Sequence, residues 1–467
     1  MAMDSFDHLG SNNKAKHPPG LYLLFFTEMW ERFSFYGMRA MLVLYLTAQY
    51  ISGGLGYSES AAISIYGFFV GACYFTPLLG GYLSDRYLGR RRSITIGGLC
   101  IALGNLSLFA VQNDLFMAIG LALIIIGNGF FKPNVSTLVG DLYPKHDKRV
   151  DSAYTIFYMG INIGSFLAPL VCGFLAEQWF KVDMVDFIIY GYKYGFLAAG
   201  IGMIIGQLLY NVLGPRYLGD IGKAPVNHKA KHSGSSVKEK VPMTGKEKRQ
   251  TAVILIITCF VIFFWAGFEQ AGSLLTLYTQ QFIDKSIFGF EIPVSWFQSV
   301  NPLFIILFAP VISYLWMTLS KRKRGDLSFA TKMGLGMVLL GAGYMVLLIA
   351  VNQTGSDPAQ ATRQASILFI LGTYFFHTIG ELFLSPVGLA LVNKISPAKL
   401  TSLLMGVWLA STGVANIIGG QFASKINALG YFNTFAVIGA LSILLGLILL
   451  LLSKKLTNMA AIEADTF

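Results

Sequence analysis

The chain has 467 residues, 54% of them hydrophobic and 13% charged, with a mean hydropathy of +0.60 and a formal net charge of +11. Soluble proteins carry about twice that charged fraction, which excludes a water-soluble globular fold. No segments of about ten residues alternate apolar and polar positions, which excludes a transmembrane barrel and leaves an all-α polytopic membrane protein.

Twelve spans are expected, at approximately 21–50, 59–84, 93–112, 115–140, 151–176, 188–213, 251–282, 293–319, 327–351, 365–393, 400–427 and 430–453. The first is too long for a signal-peptide core and lacks a small-residue cleavage site, so it is read as a retained span. The loop after the second, "GGYLSDRYLGRRRS", has a counterpart after the eighth, "SYLWMTLSKRKRGD". Matching basic turns at matching places suggest an internal repeat of two six-helix bundles. "GYLSDRYLGRRR" also resembles the loop signature of the major facilitator superfamily, in which Asp85 would pair with Arg90 or cap a helix end.

The expected organisation is a cytoplasmic tail (1–20), an N-terminal bundle (21–213), a basic Ser/Gly-containing linker (214–250), a C-terminal bundle (251–453) and a second cytoplasmic tail (454–467). His228 and His232 in the linker have helical metal spacing but read as solvated side chains, with no metal implied. Cys73, Cys100, Cys172 and Cys259 all lie in apolar spans and read as packing residues without a disulfide framework.

Placing the N-terminus inside collects Lys14, Lys16, Arg86, Arg90 to Arg92, Lys145, Lys148, Arg149, most of the linker bases, Lys321 to Arg324, Lys394, Lys399, Lys454 and Lys455 in inside loops. The outside keeps little beyond Lys181, Lys193, Lys285, Arg363 and Lys425. The positive-inside rule therefore puts both termini in the cytoplasm. The basic excess reports topology and not nucleic-acid affinity.

With loop and span-end charges removed, Glu28, Glu31, Arg32, Arg39, Lys132, Glu269 and Glu381 remain inside the membrane. Each costs about 2.5–3.5 kcal/mol if unpaired at a helix centre, so each implies a partner or a wet cavity. Positions 28, 31, 32, 35, 36 and 39 are spaced by threes and fours along one face of the first helix. At about 1.5 Å per residue, Glu31 and Arg32 come level with Lys132 and Asn162, and Arg39 with Glu269. Arg39–Glu269 is then a cross-half ion pair, and Glu28 and Glu31 cluster with Lys132; the alternative for Glu28–Arg32, spaced i,i+4, is a structural pair near a helix end with snorkelling side chains.

The N-terminal half supplies the bases of this set and the C-terminal half only acids. A zwitterion with separated ends, such as a short peptide, satisfies both walls; its carboxylate meets Arg or Lys and its amine meets Glu381. A Glu that loses its partner during rocking can carry a proton, and Glu28 and Glu31 are the candidates because Lys132 competes for them. Tyr36, Tyr74, Trp265 and Trp408 fall at depths near these polar positions. His377, four residues before Glu381, reads as a structural histidine first and a proton relay second. No GxxxxGK[ST] loop for ATP is present.

"EMWERFSFYG" (28–37), "FYMGINIGSF" (157–166) and "GELFLSPVG" (380–388) resemble the three signatures of the proton-coupled oligopeptide transporter family, and "FKPNVSTLVGDLYP" and "FWAGFEQAGS" fit it too. The resemblance runs the length of the chain. It implies a major facilitator fold and alternating-access symport of di- and tripeptides with protons. By resemblance, Glu28, Glu31, Arg32 and Lys132 couple protons to binding, with Arg32 and Lys132 meeting the peptide carboxylate. Glu381, Asn162 and Asn301 hold the amino end, Arg39 and Glu269 form a gate that also borders the substrate, and Tyr36, Tyr74, Trp265 and Trp408 line side-chain pockets.

Phe35 stands where the family usually has Tyr, and 214–250 is too polar for the two extra helices of many bacterial members. The expectation is a secondary transporter and not an enzyme, monomeric, in a plasma membrane of bacterial inner-membrane type, with protons as coupling ion and no cofactor. The runner-up is a carrier of another small anion or zwitterion, such as nitrate or an amino-acid derivative.

Overall fold

In a computed structural model of the chain, the described residues are 16–144, 147, 149–225, 243–321, 326–355 and 363–460. His228, His232, Lys145, Lys148, Arg322 to Arg324 and the outer parts of both tails lie outside them. The N-terminal half comprises α1 (Pro19–Thr47), α2 (Glu59–Leu83), α3 (Arg90–Ala110), α4 (Asp114–Asp141), α5 (Val150–Phe174) and α6 (Tyr192–Leu218). One π turn, Ser84–Leu88, extends α2 and another, Leu175–Trp179, extends α5. The C-terminal half comprises α7 (Gly245–Phe268) and α8 (Leu274–Phe282), two pieces of one span, then α9 (Val300–Ser320), α10 (Phe329–Thr354), α11 (Ile367–Ile395), α12 (Thr401–Ala423) and α13 (Ile426–Ala460).

Eleven helical stretches among the described residues are long and apolar enough to cross a membrane. The remaining long helix, α1, carries the four ionisable groups singled out above. The helix starts follow local chemistry. Ser58, Asn113 and Ser328 cap α2, α4 and α10 through their side-chain oxygens, and Thr244 with Glu247 makes a reciprocal capping box for α7. That box, with α6 running on to Leu218, makes both ends of the expected 214–250 linker helical; residues 226–242 lie outside the described set. The stretch just after α6 folds back on α3, where Arg91 donates to the Gly219 carbonyl at 2.7 Å and its backbone N–H to Gly222 at 3.0 Å.

Arg90 pairs with both Asp85 and Asp141, tying together the ends of α2, α3 and α4. Higher up, α2 and α4 touch at backbone distance, because a side chain on Gly80 would run into the Gly129 carbonyl and Phe130 N. Backbone on both sides leaves no room to yield. Gly80→Ala is accordingly expected to lower the detergent melting temperature by several degrees or to abolish the monodisperse peak in size-exclusion chromatography. An unchanged Tm would contradict the contact.

Among the described residues the halves meet chiefly towards one side. Here the terminal side is that of Pro19 and Ala460, and the far side is the opposite. On the far side Glu59 of α2 accepts from Gln281 at 2.5 Å and from the Tyr431 hydroxyl at 2.9 Å, and Gln421 of α12 donates to Ser64 of α2 at 3.1 Å. A single hydrophobic core runs there through both halves, from Leu42, Tyr66 and Phe69 to Leu277, Tyr344 and Phe435. Towards the terminal side the N-terminal half has a separate core around Leu24, Leu138 and Tyr210. Of α9 only Pro302 is buried. The halves thus close on the far side and diverge towards the termini.

Candidate functional site

A cavity of about 950 Å³, counting space open to solvent, lies between the halves. Its N-terminal wall carries Tyr36, Arg39, Tyr74, Tyr158, Asn162 and Ser165, and its C-terminal wall Trp265, Glu269, Gln298, Asn301, Tyr374 and Glu381. All of these but Tyr158, Ser165, Gln298 and Tyr374 are residues to which spacing, depth or resemblance pointed.

At the far end of the cavity Arg39 donates to Glu269 and, through Nε, to the Tyr66 hydroxyl. Its guanidinium also lies over the Tyr36 and Tyr66 rings, at 5.7 and 5.6 Å. Arg39, Glu269 and Tyr66 are all buried. The acid stands where its helix breaks: α7 ends at Phe268, a 3₁₀ turn covers Glu269–Gly272, and α8 resumes at Leu274. The break frees the Ala271 carbonyl, which takes the Thr276 hydroxyl at 2.9 Å and, more loosely, Gln298 and Tyr374 at 3.5 Å. Broken spans are tolerated where side chains re-satisfy the backbone in this way. Gly272 is required there, since a side chain would strike the Tyr66 hydroxyl.

The α1 cluster differs from its expected form. Arg32 takes both acids itself, Glu28 at 3.1 Å and Glu31 through a second contact, one helical turn and one residue away. Lys132 pairs with neither acid among the described residues; its ammonium lies 4.5 Å from the centre of the Tyr74 ring. The reason is geometric. Arg32, on the same helix, brings one nitrogen, Nε, to positions i−4 and i−1 at once, whereas Lys132 must cross from α4. One oxygen of Glu28, one of Glu31 and one Arg32 nitrogen stay buried without a hydrogen-bond partner. Arg32 and Lys132 both stand outside the cavity wall itself, Lys132 behind Tyr74.

On the opposite wall Asn301 donates to Glu381 at 2.9 Å and to Thr378 at 3.0 Å. Glu381 has no cationic partner among the described residues. Asn162 donates to the Tyr158 carbonyl at 3.0 Å. His377 borders the cavity and is buried between Tyr344 and Phe268, 4.9 and 6.3 Å away ring to ring, with its edge against Gly343 of α10. Phe35 stacks on Phe69 and carries the Arg32 guanidinium 5.6 Å from its ring centre, a packing role in place of a polar contact.

Trp408 does not line the cavity in this arrangement. It is buried off the cavity, its ring against Gly388 of α11. Depth along a helix fixes height and leaves the azimuth open. The residues missed had a signal of the same kind. Tyr374 lies seven residues before Glu381 and Tyr158 four before Asn162, so each shares a helical face with a residue already singled out.

Comparisons with known proteins agree along the chain. The model of the POT family matches residues 91–218 and 223–438. The chain is 33% identical to the "Peptide transporter YePEPT" of Yersinia enterocolitica, covering 88% of each. It is 31% identical to a "Di-/tripeptide transporter" of Lactococcus lactis subsp. cremoris, covering 95% of this chain and 96% of that one. Among solved structures, a POT family transporter in complex with a thioalcohol-conjugated peptide superposes with a TM-score of 0.84 at 30% identity, covering 95% of this chain and 98% of the other.

Proposed function

The chain belongs to the POT family, and from that premise we propose that it imports di- and tripeptides together with protons by alternating access. It is a transporter and not an enzyme, a multi-pass protein of the plasma membrane. The observation that carries the substrate reading is a pair of opposite charges, neither held in an ion pair among the described residues, towards opposite sides of one cavity: Lys132 against Tyr74, and Glu381 beside Asn301. The two ends of a peptide zwitterion complete both.

In this reading residues 21–213 and 251–453 rock about the cavity as two bundles, with both termini cytoplasmic by the positive-inside rule. The far side is then external, and the arrangement described is open to the cytoplasm. Arg39 and Glu269 close the external end. Arg32 and Lys132 receive the peptide carboxylate, while Glu381, Asn301 and Asn162 receive its amine. Tyr36, Tyr74 and Trp265 contact its side chains. Glu28 and Glu31 carry the proton, because each keeps a buried oxygen without a partner and both make their ion pair with the same Arg32. A carboxylate entering near Arg32 competes with them, which couples peptide arrival to protonation.

The test is uptake of a labelled dipeptide by proteoliposomes under an inward proton gradient. Accumulation above the external concentration is expected, and its collapse when a protonophore is added. No gradient-dependent accumulation across several dipeptides would sink the peptide reading.

A further inference from the structure

We propose that Glu177 is a further far-side clasp, which holds the two halves together through backbone donors and sets how readily that side opens. The proposal rests on the alternating-access reading above. Glu177 lies in the π turn that extends α5, and it is buried. Its carboxylate crosses to the other half, where one oxygen accepts from the backbone N–H of Val294 at 2.6 Å. The other accepts from the backbone N–H of Ser295 at 3.1 Å and from the Ser295 hydroxyl.

Val294 and Ser295 begin the 3₁₀ turn Val294–Ser299 that leads directly into α9. The first N–H groups of a helix have no partner within it, and they favour a negative charge. Here that charge comes from the opposite bundle. Among the described residues no cation lies within ion-pair distance of it. The helix start supplies its hydrogen bonds, and Lys285 of the same half adds a longer-range attraction.

Neighbouring contacts make this one interface. Trp296 donates from its ring to the Leu170 carbonyl at 2.9 Å, and Ser299 donates to the Phe166 carbonyl at 2.7 Å. Gly173 permits the approach, since a side chain there would meet the Ser295 Cβ at 2.7 Å. The same start of α9 carries Gln298 and Asn301 into the cavity wall, and Asn301 holds Glu381.

The clasp therefore differs from Arg39–Glu269 in a way that assigns it a separate task. Arg39 and Glu269 face the cavity, where a substrate can reach them; Glu177 does not line it. Far-side opening must pull α5 from the start of α9 and break the Glu177 bonds whatever the cavity contains. Glu177 thus biases the resting equilibrium without selecting the substrate.

The experiment reads that equilibrium directly. Val185 and Phe288 are fully exposed at the tips of two far-side hairpins, one in each half. In the full-length chain, with its four cysteines replaced by alanine, both positions are changed to cysteine, spin-labelled and measured by pulsed electron resonance. The parent is expected to show mainly the short distance. Glu177→Gln presents an amide to donors that need an acceptor, so the long-distance population should rise by about threefold or more. Ser295→Ala removes one hydroxyl and should give a smaller rise of the same sign in a variant whose backbone donors are intact. Lys181→Ala, which deletes an exposed cross-half pair with Glu291, should leave the distances unchanged.

Unaltered distances in both Glu177→Gln and Ser295→Ala overturn the clasp. So does a rise in Lys181→Ala equal to that in Glu177→Gln, since any loosened surface contact would then suffice. Shifted distances in a protein that accumulates no dipeptide uphold the clasp and remove only the peptide reading.

Discussion

Glu31→Gln is expected to lower gradient-driven dipeptide uptake by about 100-fold or more while leaving counterflow exchange measurable. That factor corresponds to about 2.7 kcal/mol of lost coupling. Glu31 is fully buried and bonded to the Arg32 Nε. Glutamine preserves its shape, and its carbonyl can still accept from Arg32. What it cannot do is take up and release a proton. Exchange of labelled for unlabelled peptide needs the cavity and the rocking motion but no net proton movement, so it survives if Glu31 is only a carrier. Loss of both activities in a protein that still runs as a single monodisperse species would make Glu31 a binding or conformational residue. Retention of both would pass the carrier role to Glu28, which keeps its own unpartnered oxygen.

How far such roles can be read without coordinates depends on which coordinate a residue needs. Height across the membrane follows from counting along a span, because a helix rises by a fixed step. That is why Arg39 and Glu269, 230 positions apart, can be placed level, and they are bonded. The spans themselves are legible for the same reason, as the bilayer sets their length. Rotation about the helix axis is not set by counting. Trp408 has a suitable height and faces Gly388, while Tyr374, with no charge of its own to single it out, faces the cavity.

Pairing between helices is harder still. The cluster expected between Lys132 and the α1 acids gives way to Arg32, since the nearer base on the same helix wins both partners. The break in the seventh span leaves little trace, because "GFEQAGS" contains no proline and its cost is offset by Thr276 of the same span and by Gln298 and Tyr374 from elsewhere. Glu177 reads in the sequence as one more span-end charge. Its partners are backbone N–H groups, which every residue but proline has, so no sequence pattern announces them.

Glu381→Gln tests the opposite wall and is expected to raise the KM for a free dipeptide by about 30-fold or more. Removing one side of a buried, hydrogen-bonded charge contact costs about 2–5 kcal/mol, and every 1.4 kcal/mol is tenfold. Glutamine keeps an oxygen for the Asn301 amide, so the link between α9 and α11 survives while the charge is lost. The discriminating measurement uses the same dipeptide with its amine acetylated. That ligand has no ammonium to lose, so it should already bind weakly to the parent and should weaken little further in the variant. A large loss for the free dipeptide with little for the acetylated one assigns the amine to Glu381. Equal losses for the two would instead mean that Glu381 acts by positioning Asn301 and Thr378, and the cavity would then need another acceptor for the ammonium.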